Sequence, residues 1–143
     1  MTLGSHDDER AIARLLATYT RCLDDGRFTD LAELFAEDGV LKAMNQEVSG
    51  RSAIEALIAS GMEMRADGRP SSMHVLSNCL IDVDGDDATA ESDWVYLRRE
   101  GEGVQIALAG RYRDRLARNS RGDWQIVEKE ASPLSRPPRS TTT

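Results

Sequence analysis

The second half of the sequence is divided into four strand-length segments by short turn sequences, and this pattern constrains the fold more than any other feature. The segments SMHVLSNCLIDVD, DATAESDWVYLRRE, GVQIALAGRYRDRLARN and DWQIVEKEA have the composition of strands. The sequences between them, GDD, GEG and SRGD, are typical of tight turns. Strands that follow one another through tight turns pair antiparallel. The pattern therefore predicts a four-stranded antiparallel meander.

Helical periodicity characterises the first half of the chain. Apolar residues recur at helical spacing in AIARLLATYTRCL, which predicts a first helix from about Asp7 to Asp25. The segments FTDLAELFAED and SAIEALIASGMEMRADG predict a second and a third helix, the third with a capping box of Ser52 and Glu55. Between these two helices, GVLKAMNQEVSG predicts a hairpin with Asn45-Gln46 at its tip.

Helices first and strands afterwards indicate the α+β class. Three short helices cannot cover a flat sheet of long strands, so we expect a strongly bent, mainly antiparallel sheet with a bend or bulge at Gly110. The chain of 143 residues has the length of one domain, which we place at residues 1–131. The remaining segment 132–143, SPLSRPPRSTTT, has the composition of a disordered tail.

Charge and composition exclude several classes of partner. The 18 basic and 25 acidic residues give a net charge of −7, which argues against nucleic acid and anionic membrane, since both require a basic face. The N-terminal segment lacks the apolar core of a signal peptide, and no apolar stretch approaches the roughly 20 residues of a membrane span. Cys22 and Cys79 have no metal-type spacing and are interpreted as reduced core thiols. We therefore expect a cytoplasmic protein without a metal site.

The first strand of the meander is apolar on both faces. His74, Leu76, Asn78 and Leu80 are predicted to share one face. The opposite face, with Val95 from the next strand, contains Val75, Cys79 and Ile81. We expect one face to lie against the helices and the other against a second subunit, which predicts a homodimer.

The next strand places Ser92, Trp94 and Tyr96 on one face. Trp and Tyr combine an apolar ring with a polar tip, which suits a small-molecule pocket on a concave sheet. Ordinary core aromatics remain the alternative interpretation.

Two acids, Asp24 and Asp25, occur where the first helix should end, in RCLDDGRF. A carboxylate at a helix C-terminus is disfavoured by a few tenths to about 1 kcal/mol. Either both acids point into water, or one of them has a function. Asp25 projects about 100° away from Asp24 around the helix and lies nearly opposite the apolar stripe. Asp25 is therefore interpreted as a solvated charge, and Asp24 is the candidate for a function.

Four sequence blocks occur in an order that resembles the SnoaL-like branch of the nuclear transport factor 2-like superfamily, over about residues 8–130: AIARLLATYTRCLDDGRFTDLAELFAEDG, GRSAI, HVLSN and GRYRDRLARNSRGDWQIVEKE. The resemblance implies a cone-shaped α+β barrel, usually a homodimer, with a pocket between the bent sheet and the helices. Scytalone dehydratase, bile-acid 7-alpha-dehydratase and hexachlorocyclohexane dehydrochlorinase belong to this branch and are cofactor-free lyases. The resemblance therefore implies that no cofactor is required.

Site residues also follow from the resemblance. The lyases of this branch use an aspartate at the end of the first helix with a histidine near the start of the meander, and Asp24 and His74 occupy these places. Tyr19 matches a tyrosine of the bile-acid enzyme, and Lys129 occupies a place where related enzymes carry an arginine. The second meander histidine of scytalone dehydratase is missing, because the other histidine of this chain is His6.

These observations favour a cofactor-independent lyase or isomerase, similar to a dehydratase, acting on a small apolar oxygenated organic molecule. His74 would act as general base, because imidazole changes protonation near neutral pH, and Asp24 would fix its tautomer. Tyr19 would stabilise a developing oxyanion or assist the departure of hydroxide. Substrate contacts are expected from Trp94, Tyr96 and Lys129. The alternative is a non-catalytic small-molecule-binding or assembly protein of the same fold.

Overall fold

The computed structural model describes residues 4–134 of the chain. In chain order its elements are α1 (Gly4–Asp25), α2 (Phe28–Glu33), β1 (Phe35–Ala43), β2 (Gln46–Ser49), α3 (Arg51–Gly61), β3 (Ser72–Asp84), β4 (Asp87–Glu100), β5 (Gly103–Arg118) and β6 (Trp124–Pro133). No helix within residues 4–134 is long and apolar enough to cross a membrane.

The strands form one six-stranded mixed sheet in the order β2-β1-β6-β5-β4-β3. The antiparallel meander of β3, β4, β5 and β6 is confirmed, and β1 joins it by pairing parallel to β6. Strands β2 and β3 are the two edges, so the sheet is not closed. All three helices pack on one face of this sheet, with α1 against β3 and α3 against β1. The predicted α+β class is confirmed.

The core lies between the helices and the face of the sheet that they cover, which we call the inner face. The apolar stripe of α1 contributes Ile12, Leu16, Tyr19 and Leu23 to this core. Burying these side chains drives folding at roughly 25 cal/mol per Å² of apolar surface removed from water. The stripe thereby fixes which way the last turn of α1, which contains Asp24, faces the sheet.

The region that follows α1 differs from the prediction. Helix α2 ends at Glu33, and Phe35 begins strand β1, where it pairs with Ile126 of β6. This tertiary pairing overrides the helical pattern of FTDLAELFAED. The turn of the β1–β2 hairpin is Met44-Asn45, with φ of 54° and 59°, and not Asn45-Gln46.

The predicted capping box of α3 is wrong. Gly50, with φ of 88°, precedes the helix, and no side chain caps it. The Glu55 carboxylate instead accepts a hydrogen bond of 2.7 Å from the Thr29 hydroxyl of α2. The helix ends at Gly61 and does not continue to residue 68, and a Cβ at Gly61 would collide with the Met44 side chain.

A β-bulge in β3 corrects the predicted faces of this strand. Ser77 pairs with Asp93 and Leu80 with Glu91, so two residues of β3 lie opposite one of β4. One of these two, Asn78, has a φ of 53°. The bulge reverses the alternation, so that Leu80 is 70% exposed while Ile81 packs against the core. The predicted grouping of Leu80 with His74, and of Ile81 with the outer face, is therefore wrong.

The prediction for the cysteines is confirmed for Cys22, which is buried, and wrong for Cys79, which is exposed. Burial raises the pKa of the Cys22 thiol. Gly110 is not at a bulge, since it pairs in register with Trp94 and Pro133. A Cβ at this position would collide with the Ser132 carbonyl oxygen and come within 2.6 Å of the Trp94 ring, which explains the glycine.

Strand β6 extends beyond the boundary at which we placed the tail. Ser132 and Pro133 pair with Arg111 and Gly110 of β5, and the Leu134 N–H donates to the Ala109 carbonyl at 2.7 Å. The remaining residues of the predicted tail, 135–143, lie outside the described part of the chain.

Candidate active site

The end of α1 and the start of β3 bring Asp24 and His74 together, 50 residues apart in the chain. His74 Nδ1 lies 2.8 Å from Asp24 Oδ1. The backbone N–H of His74 also donates to the same carboxylate, at 2.9 Å to Oδ2 and 3.0 Å to Oδ1. His74 therefore contacts both oxygens of the Asp24 carboxylate, and these contacts attach the last turn of α1 to β3.

The contact with Asp24 assigns one tautomer to His74. An ionised carboxylate only accepts hydrogen bonds, so Nδ1 is the donor and carries the hydrogen. The neutral ring then has its lone pair on Nε2. The side chains of His74 and Asp24 are only 8% and 16% exposed, which keeps water largely away from the pair. The arrangement is that of a base oriented by a carboxylate.

Asp25 differs from its neighbour, as the helical pattern predicts. Its side chain is 57% exposed and lies 3.8 Å from Arg27, a contact of little energetic weight at a surface. Of the two acids, Asp24 is the one that accepts hydrogen bonds from β3. These bonds offset the unfavourable effect of the helix dipole on its carboxylate. The structure therefore separates the two acids into one that is bound by β3 and one that faces solvent.

Trp94 and Tyr96 lie beside His74 on the inner face of β4. Tyr96 is the register partner of His74, and their ring centroids are 4.9 Å apart. The Trp94 ring lies 6.4 Å from the His74 ring. Trp94 is buried and Tyr96 is half-buried.

The aromatic contacts continue from Trp94 to Tyr19 through a residue that the sequence did not single out. Trp94 stacks on Tyr112 of β5 with ring centroids 5.6 Å apart. Tyr112 in turn meets the edge of Tyr19 at 5.9 Å. His74, Trp94, Tyr112 and Tyr19 thus form a continuous row of rings.

Lys129 lies under the far end of this row, in a fully buried ion pair with Asp114. Its Nζ donates to Asp114 Oδ1 at 2.9 Å and to Oδ2 at 3.1 Å. The same Nζ lies 4.0 Å from the ring centroid of Tyr112 and 4.3 Å from that of Tyr19, which is cation–π geometry. The ammonium group is therefore held by groups of the protein itself.

Burial controls the ionisation of this cluster. It lowers the pKa of Lys129 and raises the pKa of Asp114, and the attraction between the two groups opposes both shifts. Burial also raises the pKa of the Tyr19 and Tyr112 hydroxyls, and the charge of Asp114 adds to the effect. Both phenols are therefore neutral groups that can donate a hydrogen bond.

Tyr112 and Asp114 are buried residues of this cluster that the sequence did not single out. The signal was present in GRYRDRLAR, where arginines alternate with Tyr112, Asp114 and Leu116. Arg111 and Arg115 of this alternation lie on the outer face, where they pair with Asp93 and Glu128. Tyr112, Asp114 and Leu116 alternate with these arginines and therefore lie on the inner face. A buried tyrosine and a buried aspartate are unusual there.

Comparisons with known proteins agree with this fold. The chain matches the model of the SnoaL-like domain over residues 5–130. No curated protein matches it.

Solved structures extend the comparison. An NTF2-like protein with a cystatin-like fold from Novosphingobium aromaticivorans is 28% identical, with a TM-score of 0.76 over 90% of this chain and 83% of that chain. A candidate scytalone dehydratase from the same organism is 28% identical, with a TM-score of 0.77 over 94% of this chain and 89% of that chain. A protein from Catenulispora acidiphila, solved in complex with S-DNPA, is 21% identical, with a TM-score of 0.74 over 89% of this chain and 95% of that chain. With the family match over most of its length, the chain belongs to the SnoaL-like domain family of the NTF2-like superfamily.

Proposed function

We propose that the protein is a cofactor-independent lyase or isomerase, similar to a dehydratase, that acts on a small apolar oxygenated molecule. The observation that carries the proposal is the 2.8 Å contact between His74 Nδ1 and Asp24 Oδ1 on the inner face of the sheet. A histidine whose Nδ1 is held in this way presents Nε2 as a general base.

The proposed step begins with removal of a proton from the carbon next to a carbonyl group. His74 Nε2 accepts this proton, and the electron pair of the C–H bond forms the new C=C bond. In an elimination the neighbouring C–O bond breaks and its electron pair leaves with the oxygen. The imidazolium then returns its proton to the departing hydroxide, so that water is the second product. In an isomerisation the same proton returns to a different carbon.

One histidine must serve both proton transfers in this proposal, because the other histidine of the chain is His6, near the N-terminus. Asp24 supports this use, since its charge stabilises the imidazolium between the two transfers. Tyr19 would donate a hydrogen bond to the departing oxygen or to the developing oxyanion, which its raised pKa permits by keeping the hydroxyl protonated. Trp94 and Tyr96 would contact the apolar part of the substrate.

Lys129 enters the proposal indirectly. Its Nζ is already bonded to Asp114 and lies over the Tyr19 and Tyr112 rings. Lys129 would therefore hold the Tyr19 and Tyr112 rings in position, and these two tyrosines would face the substrate in its place.

The solved relatives support the class of reaction and of ligand. A candidate scytalone dehydratase shares the fold and 28% of aligned residues. A more distant neighbour was crystallised with a small molecule. Both facts concern those proteins. They support the proposal that rests on the contact between Asp24 and His74.

A binding or assembly protein without catalysis is the second candidate function. The observation that favours it is the dense contact of the Tyr19, Phe35, Trp94 and Tyr112 rings, which is typical of a filled core. In addition, one depression of about 480 Å³ lies on the opposite, outer face of the sheet, lined by residues such as Leu80, Glu91 and Arg113. A homodimer formed through the outer face is compatible with either candidate function.

Deuterium exchange tests the proposed chemistry. The protein is incubated in D2O with a panel of uncharged ring ketones, including 2-tetralone, and deuterium at the carbon next to the carbonyl is followed by NMR. We expect the wild type to accelerate the exchange of at least one ketone, and His74→Gln to lose most of this acceleration. Equal rates in the wild type and in His74→Gln, or no acceleration across the panel, would favour the non-catalytic candidate.

A further inference from the structure

Three buried polar side-chain atoms within residues 4–134 have no hydrogen-bond partner: Ser72 Oγ, Ser92 Oγ and Trp94 Nε1. Leaving such a group unpaired in the folded state costs about 1–3 kcal/mol. Native proteins leave few of them, and each requires an explanation. All three lie on β3, the strand that contains His74, or on β4, the strand that pairs with it.

Ser92 and Trp94 occupy consecutive inner-face positions of β4, and Tyr96 occupies the next. Exposure decreases along this row, from the half-buried Tyr96 beside His74 to Trp94 at 6% and Ser92 at 1%. Residues two apart in a strand are separated by roughly 6–7 Å. Trp94 and Ser92, which carry the two unpaired donors, therefore lie one and two inner-face positions deeper than Tyr96, the register partner of His74.

The neighbouring strand β5 packs closely against the Trp94 side chain. Gly110 lies opposite Trp94, and a Cβ there would collide with the Ser132 carbonyl oxygen of β6 and would approach the indole ring to 2.6 Å. Tyr112 lies opposite Ser92 and stacks on Trp94. The indole is thus fixed between a glycine and a tyrosine, while its N–H group has no partner in the protein.

The chemistry of the two groups defines a complementary ligand. An indole N–H can only donate, and a serine hydroxyl can donate as well as accept. A carbonyl oxygen has two lone pairs and can accept from both. The Lys129 ammonium of the inner face is already paired with Asp114, so an anionic ligand would find no free lysine there. The surrounding rings favour an uncharged ring compound.

We infer that Trp94 Nε1 and Ser92 Oγ form a subsite for a hydrogen-bond-accepting oxygen of an uncharged ring compound. The inference rests on the proposed function, because it concerns the same inner face, and it adds the residues that select an oxygenated ligand over a hydrocarbon. Binding to a partner oxygen removes the cost of the unpaired groups in the ligand-bound state. Discrimination of this kind is strong, because a ligand without the oxygen leaves the buried donors unpaired.

Calorimetric titration with 2-tetralone and with its deoxygenated counterpart tetralin tests the subsite. Trp94→Phe keeps the ring and removes the N–H group, and Ser92→Ala removes the hydroxyl. We expect each to weaken 2-tetralone binding by about tenfold or more, as loss of one buried hydrogen bond implies, and to change tetralin binding less than about twofold. Equal effects on both compounds, or no effect on either, would overturn the inference.

Trp124→Phe is the matched control, because the Trp124 Nε1 already donates to Asp8 Oδ1 at 3.2 Å. This variant should bind both compounds like the wild type but lose stability in urea unfolding. Trp94→Phe should lose less stability than Trp124→Phe, since its N–H has no partner to lose. A larger loss in Trp94→Phe would show that its N–H is paired in the free protein, for example by water, and would overturn the inference.

The same titrations separate this inference from the proposed function. His74→Gln should lose deuterium exchange, whereas Trp94→Phe should lose affinity for 2-tetralone. Unchanged exchange in His74→Gln would reject the proposed base and leave the subsite in place. Unchanged 2-tetralone binding in Trp94→Phe would reject the subsite and leave the base in place.

Discussion

The carboxylate of Asp24 accepts hydrogen bonds from both the backbone and the ring of His74. The backbone contact is a structural one, and the ring contact is the one that a base requires, so the geometry gives this aspartate both roles. Helical spacing separated Asp24 from Asp25, and the family resemblance paired Asp24 with His74. The backbone contact could not be predicted, because it depends on where β3 begins relative to the last turn of α1.

Asp24→Asn should therefore reduce the free energy of unfolding by about 1–3 kcal/mol, because charge-assisted bonds to a partly buried group are lost. Asp25→Asn is the control, and its surface position predicts a change within about 0.5 kcal/mol. Urea denaturation of both variants beside the wild type measures the difference. Equal stabilities of the two variants would contradict the structural role of Asp24.

The elements of the second half were predicted closely, because the turns GDD and GEG mark the boundaries between β3, β4 and β5. The first half was predicted less well. Phe35 leaves the helical pattern to pair with β6, and Gly61 ends α3 early against Met44. The bulge at Asn78 has no local sequence signal. In each case a partner distant in sequence decides the local structure.

Asp8 attaches α1 to the β5–β6 hairpin through bonds from Arg118 at 2.7 and 3.1 Å and from Trp124 at 3.2 Å. The bonds from Arg118 and then Trp124 lower the pKa of Asp8 below its ordinary value of 3.8. A carboxyl whose pKa is lowered by folding contributes stability above its unfolded pKa and loses it as the pH falls through the folded pKa.

We therefore expect the melting temperature of the wild type to fall more steeply than that of Asp8→Asn as the pH decreases from about 5 to about 2. Asp86→Asn is a suitable control, because Asp86 contacts the same arginine but its side chain is 84% exposed. This control should retain the pH dependence of the wild type. Parallel curves for the wild type and Asp8→Asn would show that the Asp8 contacts do not stabilise the fold.

On the scale of the whole molecule, the outer face of the sheet exposes large apolar side chains near one end of β3 and β5. Met73, Val104 and Ile106 are 58%, 72% and 68% exposed. The prediction of an apolar outer face stands for Val75, while Ile81 belongs to the core. Exposed apolar patches of this kind mark surfaces for association.

Light scattering at micromolar concentration should therefore give the mass of a homodimer, and Ile106→Glu should shift it towards the monomer, because a charge would be buried in the contact. Met64→Glu provides the control, since Met64 is exposed in the segment between α3 and β3 and should leave the dimer intact. A monomeric wild type would contradict the assignment of this face to a homodimer.

The central claim is that Asp24 and His74 act as one base, and a double-mutant cycle on the rate of ketone deuterium exchange tests it most directly. Asp24→Asn and His74→Gln should each lower the rate by about 10²–10⁴-fold, and the double variant should be little slower than either, because groups that act as a unit are strongly non-additive. An Asp24→Asn variant that keeps the full rate, or single effects that multiply in the double variant, would contradict the claim.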